Sequence, residues 1–221
     1  MDVKAEVIAS LRKNDIGDKY SHLSSVKKAS VLIPLFLREG RVHVLLTVRS
    51  TELKHNPGEV CFPGGKSDPH DRDEIETALR EALEEISLPP DGVEVVCRLC
   101  PVLNARGILV TPVVAFISDS FQASPNPDEV SEVFSVPVEF FLKETDHSAY
   151  PVPNIAGYTH SFIYTDPVTD KIQQIWGLTA YLLILLAVLT FKKNPEFEVD
   201  FDFQNPLANF QQHLKRSLSK L

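Results

Sequence analysis

Residues 56–88 read NPGEVCFPGGKSDPHDRDEIETALREALEEISL, and this stretch decides how the chain is understood. Its first half, up to Asp73, is dense in Gly, Pro and Asp, so a loop with little regular structure is expected there. The second half meets no helix breaker before Pro89-Pro90, which predicts a helix from about Asp73 to Ile86. Wound at 100° per residue, Leu83 and Ile86 fall within about 40° of Leu79 and form an apolar stripe. Glu81, Glu84 and Glu85 fall on the opposite side, within about 100° of one another. Carboxylates at i, i+3 and i+4 repel, at roughly 0.2–0.5 kcal/mol per pair. A solvated acidic face is the ordinary explanation of such a pattern. Here the helix follows Phe62-Pro63-Gly64-Gly65, whose glycines let backbone approach a ligand closely. Hard divalent cations take carboxylate oxygens, and Mg²⁺ commonly shares phosphate oxygens with its substrate. The cluster therefore reads as a platform for metal-assisted attack on a phosphate ester or anhydride.

Working outward, 30–37 (SVLIPLFL) and 42–49 (VHVLLTVR) are strand-like runs joined by the hairpin signal Glu39-Gly40. Strands are expected near 93–103 and 108–117, and a hairpin over 159–176 turning at Asp166–Asp170. Residues 125–143 mix turn and helix signals. Amphipathic helices are expected at 3–13 and near 205–218. Interleaved strands with few helices favour an α+β mixed sheet flanked by helices over a doubly wound parallel sheet.

The stretch Gly65–Leu88 resembles the Nudix box of the Nudix hydrolases, written G-x5-E-x7-R-E-U-x-E-E-x-G-U with U apolar. Arg80, Glu81, Ala82, Glu84, Glu85 and Leu88 stand in register. Ser87 replaces the final Gly. The interval from Gly65 to Arg80 is one residue longer than the pattern, and Asp71 falls where the first Glu would stand, so neither Asp71 nor Asp73 is given a role. Upstream, LLTVRSTELKHNPGEVCFPGG resembles the signature of the coenzyme A diphosphatase branch, matched by Leu45, Leu46, Thr47, Arg49, Ser50, Gly58 and Phe62 through Gly65. Lys54 stands where that branch has Arg, which keeps the charge and loses the planar fork.

The resemblance implies a Nudix fold, an α/β/α sandwich, over about 25–195, with a helical extension at 1–24 and a tail at 196–221. It implies Mg²⁺- or Mn²⁺-dependent hydrolysis of the pyrophosphate of coenzyme A and its thioesters, giving 3′,5′-ADP and 4′-phosphopantetheine or its acyl derivative. Glu81 and Glu85 would be metal ligands, with Glu84 sharing the cluster. The general base would be Glu81 or an acid of a later loop, for which Glu129 in Asn126-Pro127-Asp128-Glu129 is the candidate. Arg80 would orient the glutamates through charge-assisted hydrogen bonds. Arg49 and Lys54 would meet the anionic substrate beside Gly64 and Gly65. The alternatives are a Nudix diphosphatase for NADH, ADP-ribose or a nucleotide sugar, and a non-catalytic coenzyme A sensor.

The formal net charge of −8, from 22 basic and 30 acidic side chains in 221 residues, excludes a broad nucleic-acid binder, which needs a basic footprint. Most of it is local. Eight acids between Asp68 and Glu85 face only Arg72 and Arg80, leaving −2 for the rest of the chain. Three cysteines, Cys61, Cys97 and Cys100, make no disulfide framework, and Cys97-x-x-Cys100 has no second pair to hold zinc. Cys61, beside the Gly-Gly loop, is a modifiable neighbour of the site. The N-terminus lacks the apolar stretch of a signal peptide. The uncharged run 175–191, IWGLTAYLLILLAVLTF, is at the short edge of a spanning length and is expected to be a buried helix. The chain ends Ser219-Lys220-Leu221, the S-K-L address read by the peroxisomal import receptor, so a matrix enzyme of the peroxisome is expected.

Overall fold

The computed structural model describes residues 2–20, 22–23, 26–151, 158–200 and 205–219. Strands β1 (Lys28–Arg38) and β2 (Arg41–Arg49) form the expected hairpin, with Arg38 opposite Arg41. Glu39 and Gly40 between them both have positive φ, 53° and 74°, the two-residue turn whose twist matches the strands it joins.

Beyond the hairpin the two strands diverge. The end of β2 (Thr47, Val48) pairs with β3 (Val60–Cys61), and the start of β1 (Ala29–Val31) pairs with β4 (Gly64–Lys66). Backbone bared by the divergence needs hydrogen-bond partners, and residues 60–66 supply them as a wedge. The irregular loop expected over 56–73 is thus interrupted by two short strands.

The expected strand at 93–103 is two, β5 (Val93–Arg98) and β6 (Val102–Leu103), separated at Pro101, which has no N–H for a ladder. Strand β7 (Leu109–Ile117) is buried at all nine positions and runs parallel to β1. The mixed signals of 125–143 resolve into β8 (Val130–Pro137), paired with the free edge of β2, and a single 3₁₀ turn at Val138–Leu142. Tertiary pairing overrides local propensity there. The large sheet has the order β3-β2-β1-β7-β5, with β4, β6 and β8 alongside β1, β7 and β2. A second, three-stranded sheet adds an unanticipated β9 (His147–Pro151) to the predicted hairpin of β10 (Tyr158–Thr165) and β11 (Ile172–Trp176).

Helices cover both faces of the large sheet. Helix α1 (Val3–Arg12) and α3 (Gly177–Phe191) pack on Ile33, Leu35, Val44, Leu46, Val114 and Phe116. Helix α2 (Glu74–Ile86) packs on Leu32, Phe36, Leu45, Val113, Ala115 and Ile117. This is the expected α/β/α sandwich of α+β class. Helix α4 (Pro206–Leu218) joins the α3 side through Leu207, Phe210 and Leu214. Ten of the fifteen α3 residues are buried. At 1.5 Å per residue α3 spans about 22 Å, against a hydrocarbon core of about 30 Å. No helix among the described residues is long and apolar enough to cross a membrane.

Helix α2 begins as predicted, with Asp73 as N-cap accepting the Glu76 N–H at 2.9 Å. It ends at Ser87, held at φ 58° in the left-handed conformation that the family pattern gives to Gly. Its rotation differs from the leucine-stripe expectation. The buried positions are Thr77, Ala78, Ala82, Glu85 and Ile86, and Leu83 is 45% exposed. The two alanines let the axis lie close against the sheet. That rolls the glutamate side inward and leaves Leu83 in solvent.

Candidate active site

The inward roll of α2 brings Glu81 and Glu85 over the wedge strand. Glu85 is 4% exposed, and its Oε2 accepts the Gly64 N–H at 3.0 Å. Two adjacent glycines serve different needs here. Gly64 has φ 153°, and a Cβ on it would collide with the Ser30 carbonyl and Val31 backbone. Gly65 faces the Glu81 carboxylate, all three of whose heavy atoms would lie 2.5 Å from a Cβ. One glycine lets the wedge enter the sheet. The other lets a carboxylate rest on backbone.

The third carboxylate comes from the segment between β7 and β8, on the α2 face of the sheet. Helix α2, like any helix, ends with carbonyls that have no partner within it. The Ser124 N–H donates to the Ile86 carbonyl at 3.1 Å, and the Asn126 N–H to the Glu85 carbonyl at 2.8 Å. The turn that follows, with Glu129 N–H and Val130 N–H both on the Asn126 carbonyl, places Glu129. Carboxylate oxygens of Glu81, Glu85 and Glu129 lie within 4.8 Å of one another.

Burial, reinforced by the Glu81 and Glu129 charges, pushes the Glu85 carboxyl up to about 8, against the opposing pull of the Gly64 N–H and Arg49. Burial also raises Glu81, while Arg80 draws it down. An all-oxygen donor set of this kind, costly as three bare charges, fits a hard divalent cation. Among the described residues, Glu81, Glu85 and Glu129 form the group able to hold one.

Arg80 is the organising cation. Its Nε and Nη2 donate to the two oxygens of Asp71, both at 3.0 Å, and Nη2 also to the Lys66 carbonyl at 2.9 Å. Its Nη1 reaches Glu81 at 3.0 Å and Glu84 at 3.1 Å. Glu84 therefore lies outside the group of three, on the solvent side, held by Arg80. Asp71 is the residue that sequence reasoning left without a role. Its carboxylate, 5% exposed, also accepts from Thr77 Oγ1 and the Asp68 N–H, each at 2.8 Å. The Arg80 fork, with these donors, holds it down at about 2. The available signal was positional: Asp71 stands where the box has its first Glu, and one extra loop residue lets the shorter side chain reach Arg80.

Among the predicted cations, Arg49 ends β2 beside the cluster, where its charge acts on both Glu85 and Cys61, and its Nε donates to the His55 carbonyl at 3.3 Å. Lys54 is exposed in the loop between β2 and β3. That loop is fastened to the site where the Ser50 N–H donates to the Glu129 carbonyl at 2.8 Å. Cys61 Sγ sits 3.2 Å from Thr47 Oγ1, and burial raises its thiol. Cys97 and Cys100 are buried in the core, their thiols pushed up to about 12 and about 11 by burial. Of the terminal tripeptide, Lys220 and Leu221 lie outside the described residues.

Residues 26–155 match the NUDIX domain. The chain is 46% identical to the mouse (Mus musculus) peroxisomal coenzyme A diphosphatase NUDT7, over 96% of this chain and 92% of that one. It is 42% identical to the mitochondrial Nudix hydrolase 15 of Arabidopsis thaliana, over 77% of this chain and 61% of that one. To the uncharacterized Nudix hydrolase NudL of Pectobacterium atrosepticum it is 38% identical, over 73% and 82%. The site described above, with its glutamate helix and Gly-Gly wedge, lies inside the matched domain, and the chain belongs to the Nudix family of hydrolases.

Proposed function

We propose that this chain hydrolyses the diphosphate of coenzyme A and of acyl-CoA, giving 3′,5′-ADP and 4′-phosphopantetheine or its acyl derivative. The observation that carries the reading is the loop between β2 and β3. Arg49 leads into it from β2, Lys54 stands on it where the coenzyme A branch has Arg, and it is tied at Ser50 to the residue that brings the third carboxylate. The substrate named for the mouse relative agrees with it.

Glu81, Glu85 and Glu129 would hold Mg²⁺ or Mn²⁺, which when bound neutralises the diphosphate and lowers the pKa of a water. Arg80 fixes Glu81 from one side and Glu84 from the other, so Glu84 contributes by positioning. Arg80 engages one Glu81 oxygen and Asn126 Nδ2 one Glu129 oxygen, so the second oxygen of Glu81 or of Glu129 would take the proton that the attacking water gives up as its oxygen bonds to phosphorus and the bridging P–O bond breaks. Arg49 meets the diphosphate; Gly64 and Gly65 serve it indirectly, by letting the wedge strand enter the sheet and Glu81 rest on backbone.

Purified protein with Mg²⁺ or Mn²⁺ and coenzyme A should release 3′,5′-ADP, identified by chromatography and mass, and Glu85→Gln should cut the rate at least about 100-fold. Binding without product would identify a sensor. Turnover of NADH or ADP-ribose with none of coenzyme A or acyl-CoA would sink the substrate assignment. We further propose peroxisomal residence through Ser219, Lys220 and Leu221, in line with the name of the mouse relative. A fluorescent protein fused at the N-terminus should mark peroxisomes and lose them when residues 219–221 are deleted.

A further inference from the structure

The β2–β3 loop, residues 50–59, is fastened a second time, at Asn56. Between β6 and β7 the chain turns at 104–108, and Asn104 Oδ1 accepts the N–H of Arg106 at 2.9 Å and of Ile108 at 3.0 Å. The Gly107 N–H closes the same turn on the Asn104 carbonyl at 3.0 Å. This compact turn presents Arg106, whose Nη2 donates to Asn56 Oδ1 at 2.9 Å. Asn56 Nδ2 in turn donates to Glu59 Oε2 at 2.7 Å. A guanidinium brought from fifty residues away thus rests on the loop that carries Lys54 and His55.

Arg106 is one of the arginines that meet neutral groups, as Arg38 meets Ser135 Oγ and Arg49 the His55 carbonyl. Arg12, Arg72, Arg80 and Arg98 all sit against carboxylates. Arg106 is exposed, sits against a neutral amide and forms no ion pair among the described residues. Glu52 and Glu59 are the acids of the loop, and Glu59 is engaged by Asn56. Arg49 is the cation whose charge reaches Glu85. Arg106 therefore offers a second cationic point on the same loop, separate from the one at the carboxylates. A coenzyme A molecule has two separate anionic groups, the 5′-diphosphate and the 3′-phosphomonoester, with a ribose between them. A planar, always-charged fork suits a phosphomonoester better than an ammonium does.

We propose that Arg106, seated on the loop that carries Lys54, is the specificity-determining residue for the ribose 3′-phosphate, and that it separates coenzyme A from dephospho-coenzyme A. This rests on the coenzyme A reading above. The test compares kcat/KM of wild type and Arg106→Gln on coenzyme A and on dephospho-coenzyme A, which differ only in that phosphate. Loss of one charge-assisted contact predicts that the ratio of the two falls about 10- to 100-fold, through KM on coenzyme A, with partial recovery in Arg106→Lys. Inhibition by 3′,5′-ADP should weaken by a similar factor while inhibition by 5′-AMP changes much less. Asn56→Ala separates recognition from tethering: if Arg106 only anchors the loop, both variants depress both substrates alike, and the proposal falls. An unchanged ratio in Arg106→Gln, with coenzyme A still hydrolysed by wild type, overturns the proposal and leaves the functional reading standing. A wild-type enzyme that hydrolyses neither substrate overturns both.

Discussion

Replacing Asp71 by Asn tests whether the extra-length loop has rebuilt the missing acid of the box. The substitution keeps the shape of the side chain and leaves an oxygen for Thr77, but removes the charge that faces the Arg80 fork. The carboxyl lies at about 2 in the folded protein against 3.8 in the free group. At about 1.36 kcal/mol per pH unit, that depression is worth roughly 2.4 kcal/mol to the fold at neutral pH. Because the folded value is the lower one, this stability is present in full above pH 4 and is lost as the pH falls toward 2. By the same linkage, about half of it remains at pH 3. Urea unfolding of wild type and D71N should differ by about 2 kcal/mol at pH 7, near a 1 M shift in midpoint, and by about 1 kcal/mol at pH 3. Freed from Asp71, Arg80 no longer holds Glu81 over Gly65, and kcat should drop about 10- to 100-fold, the usual range for a residue that orients a ligand. A difference below about 0.5 kcal/mol at pH 7, or one that is equal at both pH values, would refute the assignment.

Glu85 gives the opposite sign. Its folded value of about 8 lies above the ordinary 4.5, so metal-free protein should lose on the order of 3 kcal/mol as pH rises from 4.5 to 7, and continue to lose stability toward 8. Thermal unfolding in EDTA should show that slope in wild type and its flattening in E85Q, which melts higher than wild type at pH 8 while turning over far more slowly. The paired glycines should fail in different ways. Gly64→Ala meets backbone at a φ that alanine rarely adopts and should cost more than about 2 kcal/mol of stability. Gly65→Ala meets only a movable carboxylate, so it should unfold within about 1 kcal/mol of wild type yet lose at least about 10-fold in kcat. Ser87→Gly relieves a left-handed non-glycine residue and should stabilise by about 0.5–1 kcal/mol, offset in part by the lost Ser87 Oγ bond to the Ser124 carbonyl. Calorimetry or denaturant unfolding would show it, and a loss of stability would mean the Ser124 bond dominates.

Much of this was legible because it is local. The Asp73 cap, the prolines after Leu88 and the Glu39-Gly40 turn act on their own neighbours, and each boundary lies where the residues put it. The apolar run at 175–191 is a buried helix from Gly177 onward, its first two residues ending β11. What stayed hidden depends on partners distant in sequence. The face of α2 could not be read from leucines, because close approach to the sheet is decided by the small size of Ala78 and Ala82 against β1 and β7. Strand β8 carries weak strand signals and is fixed by the open edge of β2. The gathering of Glu129 with Glu81 and Glu85 depends on two backbone N–H groups reaching the end of α2, for which no side-chain pattern exists. Glu84 matches the box as well as its neighbours do, and only the position of the guanidinium separates it from them.

The seating of residues 124 and 126 on the last carbonyls of α2 makes the third carboxylate indifferent to how the chain gets there. After β7 the chain leaves the sheet at Ile117 and is caught again at Ser124, and the catch resets the register whatever the intervening length. Residues 118–123 can therefore lengthen or shorten among relatives without moving Glu129, provided an apolar contact such as that of Phe121 and Ala123 with the core is kept. A single insertion between Asn126 and Glu129, or a fraying of the last turn of α2, would displace it with every acidic side chain intact. Variation in this part of the family should accordingly concentrate on one side of Ser124, and a silenced member could arise by a slipped residue on the other.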